Sequence, residues 1–117
     1  MTMGLKPVLA DTALPPAARG AGTFTSGPVA AAGTATEVLM VVHCTAASGT
    51  SPTLDCSLET SADGESWSAL GGSSAPQLTA AGNAVAVARP AAPYVRVTST
   101  VAGTDPSVTY SVSLWIR

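Results

Sequence analysis

Charge is the scarcest property of this sequence. Only 10% of its 117 residues are Asp, Glu, Lys or Arg, and the formal net charge is −2. Five basic residues, none of them clustered, leave no electrostatic footprint for nucleic acid. Aromatic rings are equally few: two Trp, two Tyr and one Phe. A sugar-stacking platform, which presents several coplanar rings, has little to draw on. With a single histidine and no G-x-S-x-G elbow, a hydrolytic triad has almost no footing. The chain therefore reads as a non-enzyme without a cofactor. No apolar run approaches the roughly 20 residues that cross a bilayer, so no membrane partner is expected. Residues 1–18 carry one Lys but no sustained apolar stretch, because Pro7, Asp11, Pro15 and Pro16 interrupt it. Cytoplasmic synthesis without a secretory signal is the expectation.

Disorder is excluded from the other direction, since hydrophobic residues make up 46% of the chain. Of those 54 residues, 22 are Ala, leaving 30 larger side chains besides the two Cys: one small core, one domain. Residues 1–22 are rich in Pro, Ala and Gly, with Leu5, Val8, Leu9 and Leu14 at no strand or helix period. Pro15-Pro16 favours an extended path. An extended N-terminal arm is expected over 1–22, either a loose tail or a tether whose four apolar residues anchor on a neighbouring subunit.

From residue 23 to 117 the punctuation is that of an all-β domain. Gly and Pro recur at short intervals, and the runs between them are rich in Val and Thr, which suit a pleated surface. Strands are predicted near 22–29, 35–46, 53–61, 66–70, 76–80, 83–89, 94–101 and 107–116. Eight short strands at this spacing predict an antiparallel β-sandwich, immunoglobulin-like or jelly-roll-like.

Alternation assigns faces. Val38, Met40, Val42 and Cys44 point one way, and Leu54, Cys56 and Leu58 form a matching set. A hairpin closed by residues 47–53 would put Cys44 opposite Cys56 and Val42 opposite Leu58. Leu39 and Val41 are apolar too, so this strand is expected to be buried on both sides. A second hairpin closed by 102–107 would pair Val101 with Val108 and Val95 with Leu114, leaving Trp115 beside Tyr94 as surface contacts. Cys44 and Cys56, structural in either case, would stand as two buried free thiols, which cytosolic synthesis favours, or as a disulfide, and His43, of opposite parity to Cys44, gives no zinc site with them.

Residues 59–67, ETSADGESW, are the most distinctive piece. Asp55, Glu59, Asp63 and Glu65 lack the D-x-[DN]-x-[DN]-G spacing of a calcium loop, so no metal site is assigned. Asp63-Gly64 is better explained as a turn, where Gly accepts positive φ. Trp67 is expected to be structural, sealing the sandwich edge.

The pattern Leu58-x-Thr60-Ser61-x-Asp63-Gly64-x-x-Trp67, followed by Tyr94-Val95-Arg96-Val97 and Gly103-x-x-Pro106-Ser107-Val108-Thr109, resembles small all-β virion proteins of tailed bacteriophages. These occur among head decoration and accessory structural proteins. The resemblance spans residues 54–114, about half the chain. It implies a sandwich that docks on the major capsid protein or another virion protein and cements the lattice, as a homo-oligomer with a trimer favoured. A tail or head–tail joining component and, in a different class, a glycan- or receptor-binding module are the alternatives. A protein made in the host cytoplasm and working on the virion would reconcile the missing signal with a Thr-, Ser-, Gly- and Val-rich body.

Overall fold

The computed structural model describes residues 9–30, 37–89 and 93–116. Seven strands follow in chain order: β1 (Leu9–Arg19), β2 (Gly22–Thr25), β3 (Val29–Ala30), β4 (Val38–Ser61), β5 (Ser68–Ala69), β6 (Gly82–Ala88) and β7 (Tyr94–Ile116). All pairings between them are antiparallel.

Two strands dominate. β4 has 24 residues and β7 has 23, and they pair with each other from Val38↔Ile116 to Ser61↔Tyr94. Laid straight, 24 residues would reach about 80 Å at the usual rise of a strand. The longest dimension of the molecule is 44 Å, so the paired ribbon must double over. It does so where the register slips, between Cys44 and Thr53 on β4 and between Ala102 and Thr109 on β7. Strands that turn a corner at bulges carry one sheet over onto itself as a sandwich.

The first layer holds β1, the second half of β7, the first half of β4, and β6. The second holds β2 and β3, the first half of β7, the second half of β4, and β5. Beyond β5, the edge of β4 is closed by a loop. The backbones of Leu70, Ala75 and Leu78 bond to Leu58, Cys56 and Leu54, while Leu58 N–H donates to Ser73 Oγ. Inward side chains from both layers form the core, including Val38, Met40, Val42, Leu54, Leu58, Val95, Val97, Val112, Leu114 and Ile116. Tyr110 Oη meets Ser99 Oγ at 2.6 Å inside it, tying the two halves of β7 across the interior.

Three expectations are corrected. Residues 47–53 and 102–107 are not hairpin loops but the two sides of one corner, so Cys44 faces Tyr110 and Cys56 faces Ser99 in the ladder. Val101 lies across from Leu54, Val108 from Ala47, Val95 from Thr60 and Leu114 from Met40. Residues 9–19 are not a detached arm: β1 pairs along β7 from Leu9↔Ile116 to Arg19↔Val108. Leu14 is buried in the core, where a leucine contributes about 1.5–3 kcal/mol, and so cannot anchor on a neighbour. Leu5 and Val8 lie outside the described residues. The predicted strand over 76–80 is a single bridge at Leu78.

Glycine is required at the corner. Gly49 (φ +103°) and Gly103 (φ +128°) sit in the left-handed half of backbone space, and a Cβ on Gly103 would lie 2.8 Å from Ser51 O and 2.9 Å from Thr50 O. Gly103→Ala should therefore cost about 1–3 kcal/mol of unfolding free energy in urea denaturation. Gly71→Ala, where a Cβ would meet nothing, is the control and should change little. Equal stabilities for the two variants would mean that the corner is not constrained in this way.

Candidate functional site

The outward face of the first layer carries an apolar patch where an outward face is ordinarily polar. Side chains opposite each other on antiparallel strands share a face. Leu39 is thus flanked by Val87 on β6 and Trp115 on β7, and Val41 by Val85 and Ser113. Val85, Val87 and Trp115 are 54%, 53% and 42% exposed, while Leu39 and Val41 are half-buried. The expectation that β4 is buried on both sides holds for its inward side, where Val38, Met40 and Val42 are buried, and only in part for Leu39 and Val41. His43 and Asn83 end the patch with an exposed side-chain hydrogen bond.

Behind the bulky outer residues of β6 lie small ones. Ala84, Ala86 and Ala88 point into the core and the two valines point out, reversing the usual assignment of bulk to the interior. Sequence reasoning passed over β6 as a source of contacts. Its signal was the A-V-A-V-A run, where small and large residues alternate without any polar one.

The second layer's outward face is polar. Two rows of short polar side chains (Thr25, Thr98, Ser57 and Thr23, Thr100, Asp55) cross it. Glu59 and Arg96 face each other in register and bond at 2.7 Å, and the guanidinium lies 4.5 Å from the centroid of Trp67. Trp67 is therefore a half-buried residue stacked under a cation on the outside, not a plug in the sandwich edge. Such stacking contributes about 0.5–1 kcal/mol at an exposed site. Tyr94 stands near the Asp63-Gly64 turn, at the opposite end of β7 from Trp115, so the expected Tyr94–Trp115 pair is not formed. A corner separates the two rings and puts them in different layers.

The turn is built by one carboxylate. Glu65 N–H and Ser66 N–H donate to Asp63 Oδ1 at 2.8 and 2.9 Å, Ser61 Oγ–H donates to it at 2.9 Å, and Gly64 takes φ +80°. Bonds from Ser66, Glu65 and Ser61 hold the Asp63 carboxyl down at about 2. Deep inside, Cys44 and Cys56 are free buried thiols. Burial, reinforced by the Asp55 carboxylate and the nearby Cys44, pushes the Cys56 thiol up to about 12 against the opposing pull of Arg19. Arg19 stacks on Tyr110 at 4.5 Å and donates to Tyr110 O, sealing the core's rim.

No family model and no curated protein matches this chain. Solved structures match it in fold. The chain is similar to the PBSX exported protein XepA, with a TM-score of 0.69 and 12% identity over 93% of this chain and 37% of that one. It thus spans little more than a third of that protein's length. It is also similar to the CBM22-1–GH10 modules of Clostridium thermocellum xylanase 10B, with a TM-score of 0.51 and 12% identity over 96% of this chain and 28% of that one. The C-terminal CBM6 of LamC, a marine laminarinase from Zobellia galactanivorans, aligns at TM-score 0.47 and 5% identity, over 93% and 92% of the two chains. At these identities the likeness is one of fold alone, an all-β sandwich.

Two pH effects follow from the charged and thiol groups. Because the folded Asp63 carboxyl titrates below its ordinary value, its contribution is present above pH about 3.8 and lost as pH falls through about 2. Trp67 fluorescence in a Trp115→Phe variant should report that loss, and Asp63→Ala should diminish the change. At the alkaline end the sign reverses. Cys56 stabilises fully below its ordinary 9.0 and progressively less as pH rises towards about 12. Cys56→Ala should flatten the fall in urea stability over that window, and an unchanged slope would count against the buried thiol as its source.

Proposed function

We propose that this chain is a virion structural protein of a tailed bacteriophage. It docks through the outward face of its first layer on the major capsid protein or another protein of the assembled particle. The observation that supports this most is the uncharged row of Val87, Leu39 and Trp115 beside Val85 and Val41. Contiguous exposed apolar surface of this kind marks contact with protein more than with a polar ligand. A glycan platform fits less well, because Trp67 is stacked under Arg96 and lies in the other layer from Trp115. The shared fold of an exported protein agrees with work outside the cell that makes the chain.

The physical effect would be cementing, not chemistry. Burying about 800 Å² per partner suffices for stable binding. A protein that binds the assembled shell and not its separated parts stabilises the shell by mass action, with each occupied site adding its share. Deleting residues 1–20 would not test this, since it would remove β1 and Leu14 from the core.

Trp115→Ser combined with Leu39→Thr strips the face while keeping the inward set intact. The doubly substituted chain should keep its far-UV spectrum yet bind purified particles at least about tenfold more weakly, equivalent to 1.4 kcal/mol or more. Quantitative mass spectrometry of the particles reads the occupancy, and native occupancy by this variant would overturn the assignment.

A further inference from the structure

Among the described residues the sandwich has four sheet edges, and three of them are blunted against strand addition. β1 carries Pro15 and Pro16 and two register shifts against β7. β2 and β3 are only four and two residues long, separated by Gly27-Pro28. β5 has two residues, and the loop that follows closes the rest of that edge. These are devices that natural sheets use to prevent pairing with another chain.

β6 has none of them. Its seven residues, Gly82–Ala88, keep an unbroken register with β4 from Cys44↔Gly82 to Val38↔Ala88, and contain no Pro and no charge. No described residue pairs with its outer side. An edge strand of this kind presents a row of unpaired N–H and C=O groups as a template. On the same strand the bulkier residues, Val85 and Val87, face outward over small inward alanines.

We infer that the free edge of β6 pairs with β6 of a second copy of this chain, antiparallel and about a two-fold axis. The first layers of the two copies then join into one continuous sheet. The sequence of the edge supports its own copy as the occupant. Centred on Val85, two-fold pairing sets Asn83 against Val87 and Ala84 against Ala86, bringing no like charges together. The nearest cations, the two Arg89 residues, end up at opposite ends of the ribbon, about 27 Å apart along it. An uncharged edge also offers nothing that would select a foreign strand by charge.

The same operation runs the apolar face from one copy into the next, since Val85 and Val87 flank the junction. A single edge can accept one partner, so the contact is isologous and closes at two copies. A trimer, which needs a heterologous contact, would have to use a different surface. The paired strands are about 24 Å long and bury well under the ~800 Å² per partner of a standard interface, so the isolated dimer should be weak. The pairing is independent of which particle protein the outward face meets.

Sedimentation velocity of the full chain up to roughly 1 mM tests it, because so small an interface should associate only weakly. The wild type should shift towards dimer with concentration. In hydrogen exchange, the alternate amides of 82–88 that point away from β4 should slow by about tenfold as dimer forms, while those of β1 stay unchanged. Val85→Lys with Val87→Lys should remain monomeric with an unaltered far-UV spectrum, whereas Trp115→Ser, off the edge, should still dimerise. A wild type that stays monomeric throughout overturns the proposal. So does a dimer that survives the double Lys substitution, or one that Trp115→Ser abolishes.

Discussion

The fold depends on a single ladder, β4 against β7, and on its ability to turn a corner without coming apart. Every other described strand is an attachment to one side of that ribbon: β1, β2 and β3 along β7, β5 and β6 along β4. If the ribbon lay flat, its apolar positions would form one long exposed face. Doubling it brings Val38, Met40 and Val42 over against Leu54, Leu58 and the valines of β7, so the same residues become a shared interior. The corner is affordable because its residues are small and permissive. Gly49 and Gly103 let the two backbones approach, while Ser51 and Asp105 accept positive φ themselves. Aspartate is among the residues that tolerate that region best.

A core with so few rings needs its polar groups well placed. Tyr110 is the largest fully buried side chain, and its hydroxyl finds Ser99. Ser99 in turn bonds Phe24 O, and Arg19 covers the Tyr110 ring from the rim. Ser26 does comparable work where β2 gives way to β3. Its backbone N–H reaches Val97 O while its hydroxyl accepts from Val97 N–H, so the ladder is bridged where Gly27-Pro28 breaks it. Ser73 closes the other edge in the same manner. Among the described residues no buried side-chain nitrogen or oxygen lacks a partner, as a low-dielectric interior demands.

Much of this was legible in the sequence, and the failures have physical causes. Alternation identified the inward sets on β4 and β7 residue by residue, because period two is a property of a strand whatever it pairs with. The partners were a different matter. A six- or seven-residue Gly-containing segment between two in-phase strands fits a hairpin and a corner equally, and only the layering of the whole chain decides between them. β1 was hidden because Pro15-Pro16 breaks its period, though an edge strand with bulges tolerates proline. Trp67 was misassigned since parity after a turn is not fixed by the residues before it. Its cation partner, Arg96, lies 29 positions downstream and is visible only once Glu59 and Arg96 are known to be opposite. Val85 and Val87 fall inside the strand predicted over 83–89, and nothing in the A-V-A-V-A run alone tells which parity faces the core.

The two outward faces are chemically unlike, and that difference is itself informative. The second layer meets water with Thr, Ser and a Glu59–Arg96 pair, sufficient to keep that side hydrated despite the low overall charge. The first layer meets it with Val85, Val87 and Trp115, next to an edge without proline, bulge or charge. In a chain selected only to fold and remain solitary, both features invite aggregation and neither adds to the core. Polar substitutions at 85, 87 and 115 would cost the interior nothing, since the inward positions are filled by Ala84, Ala86, Leu114 and Ile116. Nothing among the described residues therefore explains their hydrophobic character. It is explained if the first layer is finished by other protein: a neighbour over its face, and a second copy along its edge.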